Sequence, residues 1–137
     1  MNWNHGNFIL TDSSDQVDVQ RVYELLRGTY WGVRRPLDAI ERMIQHSLCF
    51  SLLDGDVQVG FGRAVTDYTV FSWIADIVID SAYRGRGLGK WMVSCILDHP
   101  QLIKTQFVLQ TCDAHTLYER YGFSRNDALM STTVAGL

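Results

Sequence analysis

Arg84-Gly85-Arg86-Gly87-Leu88-Gly89-Lys90 is the stretch on which the reading of the fold turns. Upstream, Ile74-Ala75-Asp76-Ile77-Val78-Ile79 is mostly apolar and β-branched, the composition of a buried strand. Downstream, Leu88, Met92 and Ile96 recur at helical spacing, and Val93 and Leu97 widen the stripe. A strand that turns through glycines into a helix gathers unpaired N–H groups at the positive end of the helix dipole. Such a point is an anion site, and Arg84, Arg86 and Lys90 add charge to it. The stretch reads as a cradle for a diphosphate.

Two common cradles fail on spacing. A P-loop needs glycine at 84 and Ser or Thr at 91, where Arg84 and Trp91 stand. The dinucleotide fingerprint is Gly-x-Gly-x-x-Gly, whereas Gly85, Gly87 and Gly89 run Gly-x-Gly-x-Gly. A second patterned segment follows, Thr111-Cys112-Asp113-Ala114-His115-Thr116-Leu117-Tyr118-Glu119-Arg120-Tyr121-Gly122-Phe123.

Together the two segments resemble motifs A and B of the GNAT superfamily of N-acetyltransferases. Motif A, about 74–97, is carried by Arg84, Gly87 and Gly89 after an apolar strand. Motif B, about 106–123, is carried by Ala114, Leu117, Tyr118, Gly122 and Phe123 in register. Its first position departs, with Thr111 where asparagine is common. The resemblance runs from roughly Phe8 to the C-terminus and is sharp over 74–123. It implies one domain over 1–137, of α+β class in three layers. The implied centre is a mixed, mostly antiparallel sheet with helices on both faces.

Composition agrees with that size and class. A chain of 137 residues has room for one real core and not two. Hydrophobic residues at 47% and charged residues at 20% are those of an ordinary globular domain. A net charge of −3 argues against nucleic acid as a partner. No apolar run reaches the ~20 residues of a membrane span, and the N-terminus lacks a signal-peptide pattern. Cys49, Cys95 and Cys112 offer neither a disulfide framework nor a metal knuckle, which points to reduced thiols and a cytoplasmic location. The histidines lack companion ligands at metal spacing, so no metal is expected.

Periodicity and turn residues give the expected order. Phe8–Thr11 opens as a strand, and Asp12, Ser13, Ser14 and Asp15 offer capping groups for a helix to about Arg27. Gly28 ends it, an aromatic loop with Tyr30 and Trp31 follows, and Pro36 opens a second helix. Strands over 49–53 and 57–66 meet across Asp54-Gly55-Asp56, and Asp67-Tyr68 turns the chain into a strand over 70–79. The helix after the cradle stops near His99-Pro100. A strand over 107–111, a helix over 114–121 and one or two strands in the last fifteen residues complete the expectation.

The resemblance implies acetyl-coenzyme A as co-substrate and a primary amine of a small molecule or amino acid as acceptor. Direct attack within a ternary complex is the implied route. A protein or peptide acetyltransferase and a catalytically silent coenzyme A-binding sensor are the alternatives, and homodimers are common in the superfamily. Ile77, Val78 and Ile79 are the implied partners of the pantetheine arm; Arg84, Gly85, Arg86, Gly87, Leu88, Gly89 and Lys90 are those of the diphosphate. Thr111 stands where the motif's asparagine helps to hold the arm. Tyr118 is the implied general acid, since a phenol is protonated at neutral pH and can reprotonate a thiolate. Asp76 is the candidate base. A carboxylate among Ile74, Ile77 and Val78 suits that work if desolvated and structural work if hydrogen-bonded. Strand alternation groups it with Ile74 and Val78 unless a bulge intervenes. Tyr30, Trp31, Asp67 and Tyr68, with Phe71 and Trp73 behind them, suit a small cationic amine.

Overall fold

The structure is a computed structural model that describes residues 1–133. Six strands form one sheet in chain order: β1 (Asn2–His5), β2 (Phe8–Thr11), β3 (Leu48–Asp54), β4 (Val57–Thr66), β5 (Phe71–Ile79) and β6 (Gln106–Leu109). Neighbours are antiparallel except β5 and β6, which run parallel. The helices are α1 (Val19–Arg27), α2 (Leu37–Gln45), α3 (Leu88–Leu97) and α4 (His115–Glu119).

Successive strand residues point to opposite faces, so Cys49 and Phe50 report on both layers. Cys49 packs in a core with Val22, Leu26 and Ile40 of α1 and α2. Phe50 packs in the other core with Met92 and Ile96 of α3. Helices therefore cover both faces of a mixed, mostly antiparallel sheet, the α+β architecture expected from the motifs. No helix among the described residues is long and apolar enough to cross a membrane.

Three elements differ from expectation. The sheet begins one strand earlier, because β1 folds back on β2 through Gly6-Asn7 with Gly6 at φ 58°. Glycine first in a two-residue turn is the type II′ pattern. Helix α1 is capped by Asp18, whose Oδ1 accepts from Arg21 N–H at 3.1 Å, while Ser14–Gln16 form only a 3-10 turn. Beyond α4 the residues up to 133 form no strand. Of the expected C-terminal strands, the part over 134–137 lies outside the described residues.

A bulge interrupts β5. Val78 pairs with Phe61 and Ala75 with Arg63, so β5 spends one residue more than β4 over the same span. Asp76 sits there at φ 58°, a conformation that aspartate tolerates better than most residues. The extra residue breaks the grouping that simple alternation gives. Ile74 and Ile77 both pack on the α3 side, while Val78 packs on the α1–α2 side. Gly62 lies opposite the bulge, where an added Cβ would come within 2.7 Å of Ile77 Cδ1.

Candidate active site

Strand β5 is paired with β4 as far as Ile79 but with β6 only over Phe71–Ile74. Past Ile74 the parallel strands part, and the β6-facing edge of Ala75–Ile79 loses its strand partner. The gap is the floor of a cleft of about 1000 Å³ walled by Gln110–Ala114 and Tyr118. A second groove of about 990 Å³ runs along β6 against residues 121–126, without the glycine loop. The first cleft is the one that carries chemistry.

Its far end is the β5–α3 loop. Gly85 and Gly87 take φ 78° and 76°, and a Cβ on either would meet nothing within 4 Å. Gly87 caps α3 without any side-chain bond, and the first helical bond runs from Trp91 N–H to Gly87 O at 3.0 Å. The amides of Leu88, Gly89 and Lys90 thus have no helical partner. Asp80 braces the loop by accepting from Ala82 N–H at 2.8 Å and from Arg21. Those two bonds hold its carboxyl below the ordinary carboxylate range. Arg84 folds back so that its Nε donates to Ile79 O at 3.1 Å. Arg86 does not line the cleft and lies 5.2 Å over the ring of Tyr83, which does. Gly87→Ala forces a side chain into the left-handed region at a cost of about 1–2 kcal/mol. The expected outcome is a lower melting temperature together with weaker acetyl-coenzyme A binding by calorimetric titration.

Tyr118 lines the middle of the cleft from α4. It is half-buried, its ring meets Phe123 edge-on at 5.8 Å, and among the described residues its hydroxyl makes no hydrogen bond. Burial pushes its phenol above the ordinary 10.0, and the charge of Asp113 adds to the shift. The group stays neutral and its proton free to donate. Thr111 makes the turn into α4, with its Oγ1 accepting from Ala114 N–H at 3.0 Å.

The near end is built around Asp76. Its side chain is 1% exposed, and three donors converge on it: Arg35 Nη1 at 2.6 Å, Arg63 Nε at 2.6 Å and Trp31 Nε1 at 3.1 Å. A carboxylate so engaged is an anchor for the α1–α2 loop. Asp76 is the residue expected as a base, and these bonds occupy both of its oxygens. Tyr30 and Trp31 stand at the mouth, their rings 5.0 Å apart and nearly perpendicular. The Tyr30 hydroxyl lies 2.7 Å from Cys112 Sγ on the opposite wall.

The structure therefore brings together Ile77, Val78, Ile79, Arg84, Gly85, Gly87, Leu88, Gly89, Lys90, Thr111, Tyr118, Asp76, Tyr30 and Trp31. Arg86, Asp67 and Tyr68 do not line the cleft. Asp67 instead folds its own turn, accepting from the amides of Thr69, Val70 and Phe71 at 2.9, 2.8 and 3.1 Å. Those bonds hold its carboxyl low. Sequence reasoning missed Arg35, Arg63 and Cys112. A buried carboxylate in β5 implies a cation on the neighbouring strand, and Arg63 on β4 was legible that way; Arg35, in a loop, was not.

A family model described as an acetyltransferase (GNAT) domain matches residues 45–125. The chain belongs to the GNAT acetyltransferase family. A solved GNAT-family protein from Xanthomonas campestris pv. campestris is 33% identical with a TM-score of 0.90, the match covering 98% of each chain. A candidate acetyltransferase of Gibberella zeae is 24% identical over 115 residues, 69% of this chain. This GNAT chain spans 65% of that relative's length. A histone acetyltransferase of Glycine max is 28% identical over 65% of this chain and 43% of its own. GNAT enzymes draw on acetyl-coenzyme A, and the cleft fits such a group. It offers bare, open glycines and free amides beside Arg84 and Lys90, then an unpaired strand edge.

Proposed function

We propose that this chain transfers an acetyl group from acetyl-coenzyme A to a primary amine of a small molecule, with both substrates bound together. The observation that carries the reading is the parting of β5 from β6, which joins an anion cradle, a free strand edge and an unbonded phenol in one cleft. Acetyl-coenzyme A, when bound, supplies the thioester whose C–S bond breaks as the new C–N bond forms.

The amides of Leu88, Gly89 and Lys90, with Arg84 and Lys90, hold the diphosphate. The free edge of Ala75–Ile79 aligns the pantetheine amides and offers a backbone N–H to the carbonyl oxygen. Holding both reactants in line is worth roughly 7–11 kcal/mol in well-oriented systems, so placement carries much of the catalysis. Tyr118 gives its O–H proton to the departing sulfur. The proton lost by the amine leaves through water, because Asp76 is tied to two arginines and an indole.

The Tyr30–Cys112 contact spans the cleft mouth and favours an enclosed acceptor pocket over the open groove that a protein substrate needs. A glucosamine 6-phosphate N-acetyltransferase of Arabidopsis thaliana, 35% identical over 60 residues and 40% of its length, lends support to a small acceptor. We place the protein in the cytoplasm, in keeping with three free thiols. Thiol release from acetyl-coenzyme A across a panel of small amines and histone peptides tests the reading. Turnover of small amines supports it, and turnover of peptides alone replaces it with the protein-acetyltransferase reading. Coenzyme binding without any turnover leaves the silent module.

A further inference from the structure

We infer that the acceptor is an amine that also carries an oxyanion, a carboxylate or a phosphate, and that Arg35 receives that oxyanion. The inference rests on the acetyltransferase reading and narrows its acceptor.

Two guanidiniums share one carboxylate at the near end of the cleft. Arg35, Arg63 and Asp76 have side chains 16%, 15% and 1% exposed, and both arginines sit 2.6 Å from an Asp76 oxygen. Among the described residues neither arginine has another carboxylate within 4.0 Å. One positive charge is left without a carboxylate of its own on a largely buried side chain. Charge in such a place is costly unless it is paired, so a site that keeps it is built for an incoming anion.

The two arginines are not equivalent. Arg63 gives its Nη1 to Ser47 Oγ at 3.1 Å and does not line the cleft. Arg35 does line it. Its Nη1 is taken by Asp76 and approaches Met43 Sδ at 3.7 Å, while its Nε and Nη2 make no hydrogen bond among the described residues. Those two nitrogens form one side of the guanidinium fork, the side that meets carboxylate or phosphate with two parallel bonds. Trp31, fixed to the same Asp76 oxygen, stands beside it.

The cleft also carries a charge of the complementary sign. Asp113 is the other carboxylate lining the cleft, and its charge is felt by both Tyr30 and Tyr118. An acceptor that reaches across then sets its oxyanion on Arg35 and its amine toward Tyr118. A purely cationic amine, the sequence-based expectation, leaves Arg35 unanswered. Arg84 and Lys90 lie at the loop end, so the coenzyme diphosphate has its own cations.

Matched acceptor pairs test this: an amino acid against its methyl amide, and glucosamine 6-phosphate against glucosamine. Each is assayed by thiol release with the wild type, Arg35→Gln and Arg35→Lys, beside titration with acetyl-coenzyme A. Arg35→Gln leaves Asp76 and Arg63 as a balanced pair, so the fold is expected to persist. The wild type should prefer the oxyanion member of at least one pair by tenfold or more in kcat/KM, and which pair responds separates carboxylate from phosphate. In Arg35→Gln that ratio should fall toward one through KM, with acetyl-coenzyme A affinity unmoved, and Arg35→Lys should restore part of it. Equal use of the neutral members overturns the inference and leaves the acetyltransferase reading intact. Weakened acetyl-coenzyme A binding in Arg35→Gln overturns it too, by assigning the arginine to the coenzyme. If the coenzyme binds but no amine is turned over, the acetyltransferase reading fails. Binding of an N-acetyl amino acid against its amide, to the coenzyme A complex, then decides the oxyanion site, and equal binding overturns it.

Discussion

Tyr118→Phe is expected to lower kcat by roughly 10²- to 10⁴-fold, the usual contribution of a positioned general acid, with little change in acetyl-coenzyme A affinity. The substitution removes one oxygen that bonds to nothing among the described residues, so it leaves no orphaned partner in the fold. The ring and its edge-on contact with Phe123 remain. Loss of activity without loss of stability is therefore the result that separates an acid from a packing residue. The pH dependence has a defined sign. Burial raises the phenol above 10.0, so the proton is held throughout the neutral range and is lost only at higher pH. The alkaline limb that belongs to Tyr118 should lie above pH 10.0, where the fold also loses stability because the exposed phenol of the unfolded chain ionises more readily than the buried one. Full activity in the phenylalanine variant would remove Tyr118 from the mechanism.

Asp76→Ala should destabilise the protein by about 3–5 kcal/mol, the usual result of removing one partner from a buried charge cluster. Both Arg35 and Arg63 would be left largely buried and without a carboxylate. At this chain length the melting temperature should drop by on the order of 10 °C or more. Part of the loss comes from backbone strain, because alanine at φ 58° is less tolerant than aspartate. Asp76→Asn keeps that tolerance and removes only the charge, so the two variants divide strain from electrostatics. Adding Arg35→Met to Asp76→Ala should recover stability, since it withdraws one of the two stranded charges. A melting temperature within about 2 °C of wild type for Asp76→Ala would show that the cluster does not hold the α1–α2 loop.

Much of this was legible in residue order. The strand expected over 70–79 and found over Phe71–Ile79, the glycine turn and the stripe of α3 follow from local pattern, because each is decided by neighbours in sequence. So does the Asp54-Gly55-Asp56 hairpin, where Gly55 takes φ 60°. β1 escaped notice because Asn2-Trp3-Asn4-His5 has one apolar residue; the sheet edge that it forms is mostly exposed and demands little more. The Gly6-Asn7 turn was the available signal. The bulge at Asp76 escaped for a different reason. It is set by the pairing of β5 with β4, and nothing within β5 announces which residue is extra. With the bulge unknown, the face of Asp76 and its loop partners Arg35 and Trp31 were beyond reach, and only Arg63 on the neighbouring strand was open to inference. Asp67 and Tyr68 were assigned to substrate from residue type alone, and a turn that closes on Asp67 explains the carboxylate without one.

Isothermal titration of the protein with acetyl-coenzyme A tests the central claim most directly. The account predicts saturable binding at one site per chain, weakened in Gly87→Ala and unchanged in Tyr118→Phe. Absence of binding up to roughly 1 mM, the upper end of ordinary KM values, would contradict it. The glycine loop and the parted strands would then be architecture that this chain keeps without the co-substrate.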